Sequence, residues 1–203
     1  MGKIQDVLKE LKLDKNTVVI YSSDQGFYIG DHGWYDKRWM YEESLKMPLI
    51  VKWPGVTKPG SRITQMVQNL DYAETFIEMA GAKIPQNMQG MSLVPILKNG
   101  RAENWRKSIY YHYYEFPSVH MIPRHYGIRT ERYKLMHFYQ FGNEWEMYDL
   151  QEDPDELQNI YGKTGKEKLQ EDMKKQLVAI RKYYDDNTDV AEKPADWKKK
   201  MRL

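Results

Sequence analysis

Asp24 and Gln25 stand side by side in "SSDQG", at the end of the apolar run "TVVIYSS" (17–23). A carboxylate and an amide oxygen are hard donors, suited to Ca²⁺ or Mg²⁺ and poor for a soft metal. Calcium takes about six to eight oxygens, so further donors would have to come from elsewhere or from a substrate. Asp and Gly are also common turn formers, and on spacing alone the stretch reads as a plain turn as well. Gly26, Gly30 and Gly33 let the chain behind it bend tightly. Lys37 follows thirteen residues after Asp24 and could return a compact, rotatable charge to an anion held at the metal. Arg38 offers the same sign, and nothing in the spacing forces either cation to leave the surface. His32 reads first as a hydrogen-bonded loop histidine, with a ligand role as the alternative.

A second group lies in "YYHYYEFPSVHMIPRHYGIR" (110–129), where His112, His120, Arg124 and His125 are interleaved with aromatic rings. Such rings stack on sugar faces, while His and Arg donate to hydroxyls or to a second anion. The same stretch reads equally as an aromatic sheet followed by a solvated loop.

The elements that must position these residues are legible as hydrophobic periods. Ile4, Val7, Leu8 and Leu11 predict a surface helix with one buried stripe. "TVVIYSS" and "PLIVKWP" (48–54) are short, β-branched apolar runs, which predicts strands covered on both faces and an α/β sheet, parallel at its centre. Asp71 and Glu74 have capping-box spacing ahead of a helix striped by Tyr72, Phe76 and Met79 and ended by Gly81, and "SLVPILKNG" reads as a short helix or turn. Beyond residue 105 come "SIYYHYYE", "YGIRTERYKLMHFY" and "EWEMYDL", aromatic and partly alternating without helices between them, which predicts an antiparallel meander. Asp153, Pro154 and Glu156 carry the marks of a helix start, and Thr164 with Glu167 opens a long helix striped by Leu169, Met173, Leu177, Ile180 and Tyr184. The expected division is 1–104 as an α/β part, 105–184 as an antiparallel sheet with a C-terminal helix, and 185–203 as a polar tail.

Composition removes several classes. The 203 residues hold 31 basic and 29 acidic side chains, a net +2, without the basic excess of a nucleic-acid binder. Zero cysteines exclude disulfides, thiolate metal sites and a cysteine nucleophile within the chain. No apolar run approaches the ~18 residues of a membrane span.

"VVIYSSDQGFYIGDHGWYDKRWMYEESLKMPLIVKWPG" resembles the second half of a sulfatase of the alkaline phosphatase superfamily, and "LDYAETFIEMAGAKIPQNMQGMSLVPIL", "YGIRTERYKLMHFY" and "EMYDLQEDPDELQNI" extend the resemblance over residues 15 to 185. It implies an alkaline-phosphatase-like sulfatase fold and a sulfuric ester hydrolase acting on sulfated carbohydrate, similar to bacterial N-acetylglucosamine-6-sulfatases. It further implies that Asp24 and Gln25 are calcium ligands, with Gln25 in place of the family's usual Asn or His, and that Lys37 contacts the sulfate. The segment holding His120, Arg124 and His125 would then face the sugar. The family's nucleophile is a formylglycine made within a C/S-x-P-S-R motif, which this sequence lacks; "FPSVH" (116–120) keeps only a Pro-Ser pair. The chain is therefore expected to be a C-terminal portion with an incomplete calcium site, inactive alone and partnered by a missing N-terminal part. Association through unpaired strand edges is expected, as is a periplasmic or secreted location for the complete enzyme. The alternative is a noncatalytic sulfated-glycan-binding module with the same fold.

Overall fold

The structure, a computed structural model, describes residues 1–188. The basic stretch "KPADWKKKMRL" and most of the expected tail lie outside the described residues. Along the chain come α1 (Gly2–Glu10), β1 (Val19–Ser22), β2 (Tyr28–Ile29), β3 (Tyr35–Asp36), α2 (Glu42–Leu45) and β4 (Leu49–Lys52). There follow α3 (Asp71–Met79), α4 (Val94–Asn99), β5 (Ser108–Tyr113), β6 (His125–Thr130), β7 (Tyr133–Phe138), β8 (Glu144–Asp149) and α5 (Glu167–Tyr183). No helix among the described residues is long and apolar enough to cross a membrane.

These elements form two compact units: Met1–Asp24 with Met47–Arg106, and Gln25–Lys46 with the chain from Lys107 onward. This grouping differs from the sequence-based division at 25–46. Residues 25–46 join the second unit because Tyr28, Met40 and Tyr41 share a core with Met136, Phe138 and Tyr148.

In the first unit β1 and β4 pair antiparallel, Tyr21 opposite Ile50, which corrects the expected parallel centre. Among the described residues the two strands pair only with each other. They are not covered on both faces either, since Tyr21 is 45% and Ile50 58% exposed. The stripe of α1 is likewise not buried: Ile4, Val7 and Leu11 stay about half exposed. The expected capping box on α3 is absent, because both carboxylates act away from the helix start. Asp71 takes a bidentate pair from Arg106, at 2.5 Å on each oxygen, and accepts the Gln68 and Met91 N–H groups. Glu74 accepts the Gly90 N–H. This helix buries Asp71, Glu74 and Thr75 and leaves Phe76 exposed, so its polar face is the packed one. The loop it anchors leads into α4, which ends at Gly100 with φ 77°.

In the second unit β5, β6, β7 and β8 form the expected meander, each strand antiparallel to the next. Period-two alternation sends Tyr126, Ile128, Leu135 and Met147 to one face, against Met173 and Leu177 of α5. Met136, Phe138 and Tyr148 go to the other, against residues 28–45. Gly127 permits that second packing: a Cβ there would lie 2.4 Å from the Leu135 carbonyl oxygen and 2.6 Å from Met40 Sδ. Neither expected helix start beyond residue 150 holds. Asp153 instead accepts the Leu157 and Gln158 N–H groups in a turn, and α5 begins at Glu167 without a side-chain cap from Thr164. Glu156, at φ 52°, turns inward to Lys134 at 2.7 Å. Lys134 is fully buried between Glu156 and Glu42, the latter 2.9 Å away and also paired with Arg129. That ion cluster fastens the start of α2 to the sheet.

Candidate functional site

The candidate residues of the first unit reduce to Asp24, an exposed side chain two residues beyond β1. Its Oδ1 accepts from Ser23 Oγ at 3.3 Å, and its main-chain oxygen accepts from Asn69 Nδ2 at 3.3 Å. The strand ends at Ser22, so the carboxylate stands just beyond a strand terminus.

In the second unit, residues 25–46 form a bent segment laid on the sheet. Gly30 and Gly33 take the positive φ values expected of a tight bend, 115° and 74°. Gly26 is there for a different reason: a Cβ would lie 1.9 Å from the Glu43 carbonyl oxygen, so only glycine lets the two stretches close. That closure brings Gln25 to Lys37. Gln25 Nε2 donates to the Lys37 carbonyl at 2.9 Å, and Ser44 Oγ donates to the same carbonyl at 2.7 Å. With the amide nitrogen so engaged, the oxygen end of Gln25 is the one with metal-ligand chemistry. His32 is a bonded loop histidine, stacked on Tyr41 with its Nε2 3.4 Å from Glu43.

Beside Lys37, Arg38 and His120 gather with two acids that the sequence did not single out, Asp36 and Glu115. Asp36 has φ 105°, a conformation rare for a residue with a side chain and found where surroundings impose it. Its carboxylate pairs with Arg38 Nη1 and stands 2.9 Å from His120 Nδ1. Glu115 approaches Arg38 Nε at 3.8 Å, and Tyr111 O–H donates to the Arg38 carbonyl at 2.8 Å, fixing the chain. Donors of Arg38 and His120 and acceptors of Asp36 and Glu115 thus converge at one partly exposed place, an arrangement matched to sugar hydroxyls, which donate and accept. The sequence signal was the "DKR" triplet around Lys37; the backbone strain had none.

Of the three residues expected to form a sugar-facing surface, only His120 joins this group. Arg124 is a staple, donating through Nε to the Tyr114 carbonyl and through Nη2 to that of Phe116. His125 is fully buried among Trp39, Tyr111, Tyr113 and Phe138, with Nδ1 against the Pro123 carbonyl. Burial pushes its imidazole down to about 4, so it is neutral at ordinary pH. The alternation that put polar and aromatic residues side by side sends His125 into the core, which corrects the expectation for that residue. His112 is also internal, 2.5 Å from Asp186 and 2.7 Å from the Tyr139 hydroxyl.

Residues 30–183 match the family model described as N-sulphoglucosamine sulphohydrolase, C-terminal. The chain belongs to that family. It is 47% identical over 189 residues to an N-acetylglucosamine-6-O-sulfatase of Bacteroides thetaiotaomicron, a match covering 92% of this chain and 34% of the relative. It is 34% identical over 189 residues to arylsulfatase K of Xenopus laevis, covering 90% of this chain and 34% of that protein. The structure of BT4656 in complex with its substrate D-glucosamine-2-N,6-O-disulfate superposes with a TM-score of 0.88 at 46% identity, over 93% of this chain and 38% of that one. The chain thus spans about a third of the length of the curated sulfatases it matches, and its fold is that of their C-terminal part. Among the described residues, no three His, Cys, Asp or Glu side chains are grouped to hold a metal ion. A carboxylate such as that of Asp24 and an amide oxygen such as that of Gln25 are donor types that calcium takes.

Proposed function

We propose that this chain is the sulfate- and sugar-gripping part of a sulfuric ester hydrolase acting on sulfated carbohydrate. The observation that carries the reading is the convergence of Asp36, Arg38 and His120 around a strained backbone next to Lys37, in a chain of sulfatase family. Lys37 supplies the point charge for the sulfate group. Asp36, Arg38 and His120 hold ring hydroxyls and so set which sugar is accepted. Asp24 and Gln25 contribute two oxygens to a calcium ion, which supplies charge stabilisation at the transferring group when bound. The formylglycine nucleophile belongs to a motif that this sequence does not contain, so the chain's own residues bind and orient rather than attack.

Titrating the chain with glucosamine 6-sulfate, followed by NMR at the Arg38 Nε–H, tests this. Binding in the millimolar range is expected, weakened about tenfold or more in Arg38→Ala and in Lys37→Ala by loss of a charge-assisted contact. Binding unaffected by either change would place the sugar elsewhere and overturn the assignment. The sugar's identity follows from the named substrates of the relatives and is part of the proposal.

A further inference from the structure

Asp36 holds φ at 105°, well outside the left-handed region near about 57° that an aspartate tolerates. Such a backbone persists only where its surroundings over-determine it, and here they do so from both sides. Before the bend, Ile29 and Tyr28 pair with Tyr35 and Asp36 in the β2–β3 ladder. After it, three successive main-chain carbonyls are each taken by side chains from elsewhere in the unit. The Lys37 carbonyl accepts from Gln25 Nε2 and Ser44 Oγ. The Arg38 carbonyl accepts from the Tyr111 hydroxyl at 2.8 Å, and that of Trp39 from the Tyr28 hydroxyl at 3.1 Å. Ser44 and Tyr28 are fully buried, and burial pushes the Tyr28 and Tyr111 phenols well above their ordinary value, so both stay donors. Four donors, from the turn before β2, from β2, from α2 and from β5, thus clamp three consecutive carbonyls.

We propose that Tyr111 and Ser44 are positioning residues for the sugar grip: by holding the carbonyls that follow Asp36 they keep its backbone at positive φ. That backbone turns the Asp36 carboxylate onto Arg38, two residues on, and sets it 2.9 Å from His120 Nδ1. A return to negative φ would swing the carboxylate off both. The clamp therefore fixes the grip before a ligand arrives, and a site ordered in advance loses less on binding. Its two hydroxyls are not equivalent. Tyr111 is the Arg38 carbonyl's one partner among the described residues, whereas Gln25 still holds the Lys37 carbonyl when Ser44 is removed. The effect on sugar binding rests on the function proposed above; the hold on the Asp36 backbone does not.

The test is NMR on the full 203-residue chain, reading the Asp36 φ from its backbone scalar couplings and sugar binding from the Arg38 Nε–H. Tyr111→Phe removes the hydroxyl and keeps the ring, whose centroid lies 5.6 Å from that of His125. It should populate a negative-φ conformer of Asp36 at about a tenth or more and weaken glucosamine 6-sulfate binding about fivefold. Ser44→Ala should move both readings the same way and by less. Tyr110→Phe deletes a hydroxyl of the same strand that binds Asp186 at 2.5 Å, and it should move neither. In Asp36→Ala, which has no carboxylate to position, Tyr111→Phe should weaken binding by no more than about twofold. An Asp36 φ that stays positive in Tyr111→Phe, or one that moves as much in Tyr110→Phe, would overturn the proposal. If the unmodified chain binds no glucosamine 6-sulfate, the functional reading fails, and the φ comparison still judges the clamp.

Discussion

Burial sets the charge of single residues here, and the consequence is an acid sensitivity that can be assigned to two of them. His125 is pushed down to about 4 by burial, so the unfolded chain binds its proton first as pH falls below about 6.5. Stability from this residue is therefore full above that range and is lost as pH drops toward 4. Burial would raise the Glu42 carboxyl, but Lys134 and Arg129 hold it down to about 2. Its contribution is present above the ordinary carboxylate value and is lost as pH falls from about 4.5 toward 2. Each shift corresponds to a few kcal/mol at most. Urea midpoints measured between neutral pH and pH 3 should fall in two stages, and Glu42→Gln should flatten the lower one while leaving the upper. A midpoint independent of pH down to 4 would contradict the burial of His125. Asp24, Gln25, Lys37 and His120 could be named as candidates because charge and residue type are visible in a sequence, and their roles stay part of the proposal. Sequence reading misplaced His125 because the same alternation serves a core and a surface, and only the face opposite decides which.

Among the elements, the meander and α5 were legible because their apolar residues repeat with the period of the structure they form. The helix starts near Asp153 and Thr164 were not, since Asp, Glu and Thr cap helices or close turns according to where the chain goes next. Residues 25–46 show a third case, a segment with little regular structure that is held by close approach. Gly127 is its seat. Gly127→Ala should cost about 1–3 kcal/mol, because the new methyl meets the Leu135 carbonyl and Met40. The loss should fall on the β6–β7 pairing as well as on the segment that carries Lys37, because the nearer clash is with β7 backbone. Hydrogen exchange resolved by residue would show faster exchange across β6, β7 and 25–46; acceleration confined to 25–46 would contradict this.

For the whole molecule, the first unit presents an apolar surface that its own residues do not cover, including Ile4, Val7, Leu11, Tyr21 and Ile50. With β1 and β4 paired only to each other among the described residues, both the face and the strand edges invite association. Sedimentation at several concentrations should show dimers or larger species, and Tyr21→Lys with Ile50→Lys should shift the population toward monomer. A monomer at every concentration would contradict this. The α/β character of that unit was legible, but not its strand direction, because a short apolar run specifies burial without specifying a neighbour. The central claim, that this chain grips the sulfated sugar for hydrolysis, is tested most directly by exchange. Residues 15–188 would replace the matching third of the Bacteroides N-acetylglucosamine-6-O-sulfatase, and sulfate release from N-acetylglucosamine 6-sulfate would be measured on chimaeras whose folding is verified by circular dichroism. The expected result is retained hydrolysis that falls at least about a hundredfold in Lys37→Ala, the scale of losing one electrostatic contact to the reacting group. A folded chimaera that releases no sulfate, or one indifferent to Lys37→Ala, would contradict the account.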